Sequence, residues 1–146
     1  MRSFAASALL VALFVAGCGG GGSSRLSRIE YAKQADRICL SYNAKLNGLP
    51  QPKSQAELSA FVGKAVPLVS DASDRLAELK PPQDEQRIAD SWNQANSDIV
   101  RALQGLQDAA KAKNNAKMQT ELAAGNKANS RANTLAKTLG MNACSK

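Results

Sequence analysis

The sequence predicts an all-α fold, an antiparallel four-helix bundle, and three observations lead to this prediction. Apolar residues recur at three- and four-residue steps through four long stretches, which is the pattern of one buried helical face. Short breaks that contain proline, glycine or asparagine separate the stretches. No stretch alternates apolar and polar residues with the two-residue period of a strand. Long helices joined by short breaks pack as antiparallel neighbours.

Residues 1–17 have the features of a secretory signal peptide. A basic Arg2 precedes an apolar run from Phe4 to Ala16, which is shorter than the roughly 20 residues of a membrane-spanning helix. Small or apolar residues, Val15 to Gly17, lead directly into Cys18, as in bacterial lipoprotein signals. We expect cleavage before Cys18 and a diacylglycerol on its thiol. The alternative is an ordinary signal peptide, with Cys18 as a spare thiol.

The chain after the signal divides into a linker and a domain. Residues 18–25 hold the expected lipidated cysteine and a flexible Gly/Ser linker, which has a root-mean-square span of roughly 15 Å. Residues 26–146 have the length of one domain. The sequence therefore predicts a small helical domain, lipid-anchored to the extracytoplasmic face of the cell membrane.

The first two helices are recognised by their ends. Helix one is expected over residues 26–47, because Gly48 and a nearby proline stop the periodic pattern. Helix two begins at Ser54, which is three residues before Glu57 and predicts a capping box. Pro67 lies inside helix two and removes one backbone hydrogen bond, so we expect a kink. Such a kink either shapes a binding pocket or is tolerated by ordinary packing.

The last two helices follow a Pro81-Pro82 break and an asparagine turn. Asp84 and Glu85, just after the prolines, are expected in the first turn of helix three, where the helix dipole favours acids. Trp92 is expected in the core with its indole N–H near a polar partner, and stacking on a ligand is the alternative. Helix four is expected over residues 116–139 and ends at Gly140. Small residues on its apolar face predict close helix–helix approach.

Two cysteines remain once Cys18 is acylated: Cys39 in helix one and Cys144 near the C-terminus. An even number of cysteines in an exported protein indicates a disulfide, which here would tie the first helix to the end of the chain. The alternatives are two buried free thiols or a redox pair. The redox role is disfavoured because the chain has no C-x-x-C spacing.

The composition argues against several kinds of chemistry. The chain has no histidine, which is the commonest metal ligand and the usual general base near neutral pH. It has no calcium-loop motif, no G-x-S-x-G nucleophile motif and no phosphate-binding glycine loop. The glycine run at residues 19–22 precedes no predicted strand. We therefore expect no metal, no cofactor and no enzymatic activity.

Positive charge is concentrated at the C-terminal end of a chain whose net charge is +7. From Lys111 onward the only acid is Glu121. On a helical wheel Lys117, Lys127 and Arg131 fall within about 80° of one another, at the flank of the apolar face. They are candidate contacts for anionic lipid headgroups or anionic wall polymers, and an ordinary solvated face is the alternative. Nucleic acid is a poor partner, because an exported chain with no interleaved aromatics lacks a stacking surface.

A set of residues spread along the chain resembles a known group. The set is Tyr31-x-x-x-Ala35-Asp36-x-Ile38-Cys39, Pro81-Pro82, Trp92, and Leu139-Gly140 shortly before Cys144. It resembles the small secreted or lipid-anchored helical proteins of high-GC Gram-positive bacteria (actinobacteria), whose function is uncharacterised. The resemblance covers most of residues 18–146. It supports the pairing of the two cysteines and the extracytoplasmic location, and it carries over no functional residue.

Three functions are consistent with the sequence. The first is a non-enzymatic cell-envelope lipoprotein that serves as an interaction module for a protein partner or an anionic envelope component. The second is a ligand-binding module, with a cavity for a small hydrophobic molecule or lipid near Pro67 and Trp92. The third is an accessory protein or inhibitor of an envelope enzyme.

Overall fold

A computed structural model describes residues 24–146, except for the side chain of Gln55. Within these residues the chain forms four helices and no strand: α1 (Arg28–Asn47), α2 (Gln55–Ala77), α3 (Gln86–Lys111) and α4 (Asn115–Thr138). A short 3-10 turn, Gln83–Glu85, precedes α3, so Asp84 and Glu85 lie before that helix and not in its first turn as predicted. The predicted all-α helical bundle is confirmed. The expected signal peptide at 1–17, the lipidation site Cys18 and the linker up to residue 23 lie outside the described residues.

Helix α1 begins at Arg28 rather than at Leu26, because Ser27 caps it. Ser27 Oγ accepts a hydrogen bond from the Glu30 amide at 3.3 Å, and the Glu30 carboxylate accepts one from the Ser27 amide at 3.1 Å. These two bonds make a complete capping box, which satisfies two otherwise unpaired amides. Hydrogen bonds from the Ser27 hydroxyl and amide hold the pKa of Glu30 below its ordinary value.

The cap of α2 differs from the predicted capping box. Ser54 Oγ accepts from the Glu57 amide at 3.3 Å, as expected, but the Glu57 carboxylate accepts from the Lys53 amide at 2.7 Å. The reciprocal bond is therefore displaced by one residue. Pro67 is exposed, and α2 continues through it from Gln55 to Ala77. The proline therefore lies on the solvent side of a continuous helix, where it forms no part of a binding pocket within residues 24–146.

The main hydrophobic core is rich in alanine and holds the two largest buried side chains, Trp92 and Tyr31. Leu139 and Met141 pack in the same cluster. Alanines of α1, α3 and α4 fill the space between them: Ala35, Ala89, Ala95, Ala132 and Ala136. Because a methyl group occupies little space, these alanines let the helix backbones approach one another while the aromatic rings fill the remaining volume.

Helices α3 and α4 approach one another closely, as the small residues of helix four predict. A Cβ built on Gly125 would lie 3.5 Å from the Cβ of Ala102. The sequence pattern places Leu122 on the buried face of α4, but its side chain is 41% exposed. The N-terminal half of α4 therefore packs on α3 but leaves one large apolar side chain partly in solvent.

Helix α4 ends in a Schellman motif at Gly140, whose φ is 76°. The Met141 amide donates to the Ala136 carbonyl at 2.9 Å, and the Gly140 amide donates to the Lys137 carbonyl at 3.0 Å. Glycine adopts this left-handed backbone without the strain that a Cβ brings. The turn places Met141 in the core and directs the last residues back towards α1.

The C-terminal loop is fixed to α1 by a covalent bond and by a carboxylate. A disulfide joins Cys39 to Cys144, so the predicted pairing is present in the structure. Asp36, one turn before Cys39, accepts hydrogen bonds from the amides of Asn142, Ala143 and Cys144 at 3.0, 2.8 and 3.2 Å. The motif around Cys39 is thus a structural device that holds the end of the chain.

The residues just before α1 are attached to the connection between α2 and α3. The Leu26 amide donates to the Lys80 carbonyl at 2.9 Å. The Arg25 guanidinium donates to the Pro81 carbonyl at 3.0 Å and to Gln86 Oε1 at 2.6 Å. Arg25, which the sequence assigns to the flexible linker, therefore belongs to the folded domain.

Candidate functional site

Two of the three predicted basic residues lie together in a groove between α3 and α4. Lys127 and Arg131 are one helical turn apart on α4 and both line this groove. Lys117 is exposed on the first turn of α4 and does not line it. The remaining lining residues come from both helices: Asp98, Arg101, Ala102, Glu121, Ala124 and Ala128. We call this surface the α3–α4 groove.

The charges in the α3–α4 groove are unevenly paired. Asp98 forms an ion pair with Arg101 and accepts a further hydrogen bond from Gln94 at 3.1 Å. Lys127 and Arg131 have no hydrogen-bond or ion-pair partner for their side chains within residues 24–146. Because Arg101 is already paired, these two side chains supply the free positive charge of the groove.

Glu121 lies at one end of the α3–α4 groove, where Gly105 leaves room for it. A Cβ built on Gly105 would lie 2.5 Å from the Glu121 carboxyl carbon. The Glu121 carboxylate therefore packs directly against the α3 backbone at Gly105, in space that the side chain of any other residue would occupy. Glu121 is six residues before Lys127, about 9 Å along the helix, so it reduces the positive potential of the groove without forming an ion pair with either cation.

Neither Pro67 nor Trp92 lines the cavity that lies between the helices, because Pro67 is exposed and Trp92 is buried in the core. The indole N–H of Trp92 has no hydrogen-bond partner within residues 24–146, so the polar partner expected for it is not found there. The cavity has a volume of about 140 Å³, and its lining includes Val69 of α2 and Asn96 of α3, which are two and four residues after Pro67 and Trp92. The disulfide and the C-terminal residues form one of its walls.

This inter-helix cavity is lined by polar as well as apolar side chains. Four asparagines and a serine face it: Asn43, Asn96, Asn129, Asn133 and Ser73. The Asn96 side-chain nitrogen is buried and has no hydrogen-bond partner in the described structure. A buried amide donor without a partner is costly, so the cavity offers a hydrogen bond to a small polar molecule.

A hydrogen-bonded network lies at one side of the cavity. The Tyr42 hydroxyl donates to the Asp71 carboxylate, and Arg75 Nε donates to the same carboxylate at 3.3 Å. The bond to Asp71 raises the pKa of Tyr42, and the bond from Tyr42 lowers the pKa of Asp71. Lys45 lies 4.3 Å from the centre of the Tyr42 ring, in cation–π contact. The network fixes Tyr42 in the cavity wall.

Two kinds of feature are missing from the described part of the chain. Residues 24–146 contain no group of three or more Cys, Asp or Glu side chains placed to hold a metal ion. None of the helices in that range has the length and hydropathy needed to cross a bilayer.

Comparison with protein families, curated proteins and solved structures finds no match for this chain. The resemblance to actinobacterial helical proteins stays a prediction.

Proposed function

We propose that residues 18–146 form a non-enzymatic bacterial cell-envelope lipoprotein. Acyl chains on Cys18 attach it to the extracytoplasmic face of the cell membrane, and the helical domain binds an anionic envelope component in the α3–α4 groove. The observation that carries the binding proposal is the adjacent pair of Lys127 and Arg131, which face one groove and are free of ion pairs.

The membrane anchor is supported by the sequence around Cys18. A basic residue, an apolar run and small residues directly before the cysteine form the pattern of a lipoprotein signal. Two or three acyl chains on one cysteine give stable membrane attachment. The test is the intact mass of the chain extracted from its native envelope. Acylated residues 18–146 are expected, and an unacylated, freely soluble chain would contradict the anchor.

Binding of an anion in the α3–α4 groove follows from charge and spacing. Cations four residues apart lie about 6 Å apart along the helix, which suits the repeating phosphates of a wall polymer or neighbouring lipid headgroups. Each cation near an anionic surface contributes about 1 kcal/mol, and salt screens the attraction. We therefore expect binding that weakens as the salt concentration rises.

The test compares Lys127→Glu/Arg131→Glu with Lys117→Glu, each measured against poly(glycerol phosphate). Reversing the two groove charges removes about 2 kcal/mol of attraction and adds repulsion, which weakens binding by more than about 30-fold. Lys117 is about 15 Å further along α4, beyond the Debye length of about 10 Å, so its reversal should have little effect. Equal losses in both variants would mean that only net charge matters. Unchanged binding in the double variant would end the proposal.

A second candidate function is the binding of a small polar molecule in the inter-helix cavity. The unpartnered Asn96 amide is the observation that favours it. A volume of about 140 Å³ is close to the size of a cavity that holds benzene, so the ligand has about six non-hydrogen atoms. Non-denaturing mass spectrometry of protein from the native envelope should show this added mass. It should be lost in Asn96→Leu, and a chain that carries no added mass would contradict the candidate.

A further inference from the structure

Helix α1 has an exposed face that combines large apolar and basic side chains. Ile29 and Leu40 are 80% and 60% exposed, and they are the most exposed large hydrophobic residues of the described chain. Lys33 and Arg37 lie between them, and all four line the same shallow groove. On a helical wheel these residues fall within about 80° of one another, so they form one continuous stripe. We call this stripe the α1 outer face.

The cations of the α1 outer face are free and outnumber the acid beside them. The side chains of Lys33 and Arg37 have no hydrogen-bond or ion-pair partner within residues 24–146. Asp36 lines the same groove, but its carboxylate accepts three amides of the C-terminal loop, and Glu30 is held in the capping box. The face therefore presents net positive charge together with apolar surface, which is the combination that binds anionic bilayer surfaces.

Arg28 is not available to this face. Its guanidinium forms an ion pair with Glu85 at 3.0 Å and donates to the Thr138 carbonyl at 2.7 Å. These two contacts fix the start of α1 against the rest of the domain. The direction in which the α1 outer face points is thus set by the fold rather than by a flexible terminus.

The position of α1 in the chain places this face close to the expected anchor. Arg25 is attached to the α2–α3 connection, so only residues 19–24 separate the folded domain from Cys18. Six extended residues reach at most about 20 Å. Ile29 is the second residue of α1 and lies four residues after Arg25 in the chain. A chain acylated at Cys18 therefore keeps the α1 outer face within reach of the headgroups.

We propose that the α1 outer face docks on the anionic lipid surface of the membrane that holds the anchor. Ile29 and Leu40 enter the boundary between headgroups and acyl chains, and Lys33 and Arg37 contact lipid phosphates. This inference rests on the proposed attachment at Cys18 and specifies how the anchored domain lies. Helix α1 is then parallel to the membrane, since its two apolar residues are about 16 Å apart along the helix axis.

The experiment attaches the mature chain, residues 18–146, to vesicles through a maleimide lipid. Cys39 and Cys144 are joined in the disulfide, so the Cys18 thiol is the reactive one and the coupling does not depend on cellular acylation. Vesicles of phosphatidylcholine are compared with vesicles in which phosphatidylglycerol replaces one third of the lipid. The measurement is the rate at which each lysine is acetylated, read by peptide mass spectrometry.

Docking should slow acetylation of Lys33 about fivefold on the anionic vesicles, and less on the neutral ones. Lys117, on α4, serves as the internal control and should keep its rate. Ile29→Asn/Leu40→Asn should restore the Lys33 rate, whereas Leu122→Asn should not. Leu122 is the matched control, because it is also a partly exposed leucine but lies on a different helix.

Other results would overturn the docking face. An equal Lys33 rate on both vesicles and in the uncoupled chain would show that α1 does not meet the bilayer. Selective protection of Lys127 would assign the bilayer to the α3–α4 groove. Protection of Lys33 in solution alone would indicate a second protein copy on this face. The mass of the natively extracted chain tests the anchor separately, so failure at Cys18 and failure of the α1 outer face give different results.

Discussion

Two glycines of the α4 region, Gly125 and Gly140, should respond in opposite ways to replacement by alanine. Gly125 is inside α4, and a Cβ there would make an ordinary contact of 3.5 Å with Ala102. Gly140 follows the helix with φ of 76°, where a Cβ is strained. Gly125→Ala should raise the free energy of unfolding by about 0.5–1 kcal/mol, and Gly140→Ala should lower it by about 1–2 kcal/mol. Urea unfolding measures both, and a loss of stability in Gly125→Ala would contradict the packing described.

Ionisation of Tyr31 should make the free energy of unfolding depend on pH in the alkaline range. Burial, with smaller contributions from the negative charges of Asp90 and Glu85, raises the pKa of Tyr31 to about 12 from an ordinary value of 10.0. Because folding raises the pKa, the folded state favours the neutral phenol. The contribution of this preference to the free energy of unfolding is complete below the unfolded pKa and is lost as the pH rises through the folded pKa. Between pH 10 and 12 the domain should therefore lose about 2–3 kcal/mol through this side chain.

Tyr31→Phe isolates this effect. Near pH 7 the substitution should change the free energy of unfolding by less than about 1 kcal/mol, because the Tyr31 hydroxyl has no hydrogen-bond partner in the described residues. Between pH 10 and 12 the variant should be less sensitive to pH than the wild-type chain. Tyr42 keeps part of the sensitivity, since its pKa is also raised. Parallel pH curves for wild type and Tyr31→Phe would contradict this assignment.

At the scale of elements, α1 depends on its link to the C-terminal loop. The Cys39–Cys144 disulfide closes a loop of 105 residues, and chain entropy then gives a stabilisation of about 4–5 kcal/mol. Cys39→Ser and Cys144→Ser should each lower the free energy of unfolding by similar amounts, and the double variant should cost little more. Clearly additive losses, measured by urea unfolding, would show that the two residues do not act as a bonded pair.

The extent of the helices was largely predictable from the sequence, whereas their exact caps were not. Periodicity and the proline and glycine breaks located all four helices to within a few residues. Ser27 and Glu30 form the same Ser-x-x-Glu pattern as Ser54 and Glu57, and an earlier start for helix one hid it. The partly exposed Leu122 could not be predicted, because periodicity identifies a face but not how far a neighbouring helix covers it.

The sequence predicts which site residues share a face of one helix, but not how two helices bring such faces together. The four-residue spacing of Lys127 and Arg131 is visible in the sequence, so their position on one face of helix four was expected, but the groove that they line was not. The space above Gly105 that Glu121 fills depends on where α3 lies against α4, which the sequence does not state. The Asp98–Arg101 ion pair, in contrast, has the three-residue spacing of neighbours on one helix and was visible in the sequence. The position of α3 also explains why neither Pro67 nor Trp92 lines the inter-helix cavity. Pro67 and Trp92 are unusual residues on two helices, but their side chains point to solvent and core respectively.

Over the whole molecule, the two proposed contact surfaces are separate. The α1 outer face and the α3–α4 groove share no lining residue, and each has its own free cations. If the lipid occupies α1, Lys127 and Arg131 remain available to a second anion. The domain is then suited to connect the membrane surface with an anionic wall polymer.

The disulfide also decides how proteolysis separates the chain. Cys39 lies in α1 and Cys144 is near the C-terminus, so α2, α3 and α4 lie inside one covalent ring. A single cut within this ring leaves the two fragments joined through the disulfide, whereas a single cut between Cys18 and Cys39 frees the whole domain from the proposed anchor. Limited trypsin digestion should therefore yield chains cut once between Cys39 and Cys144 that separate into two fragments only when dithiothreitol is added. Separation of these fragments without reductant would contradict this.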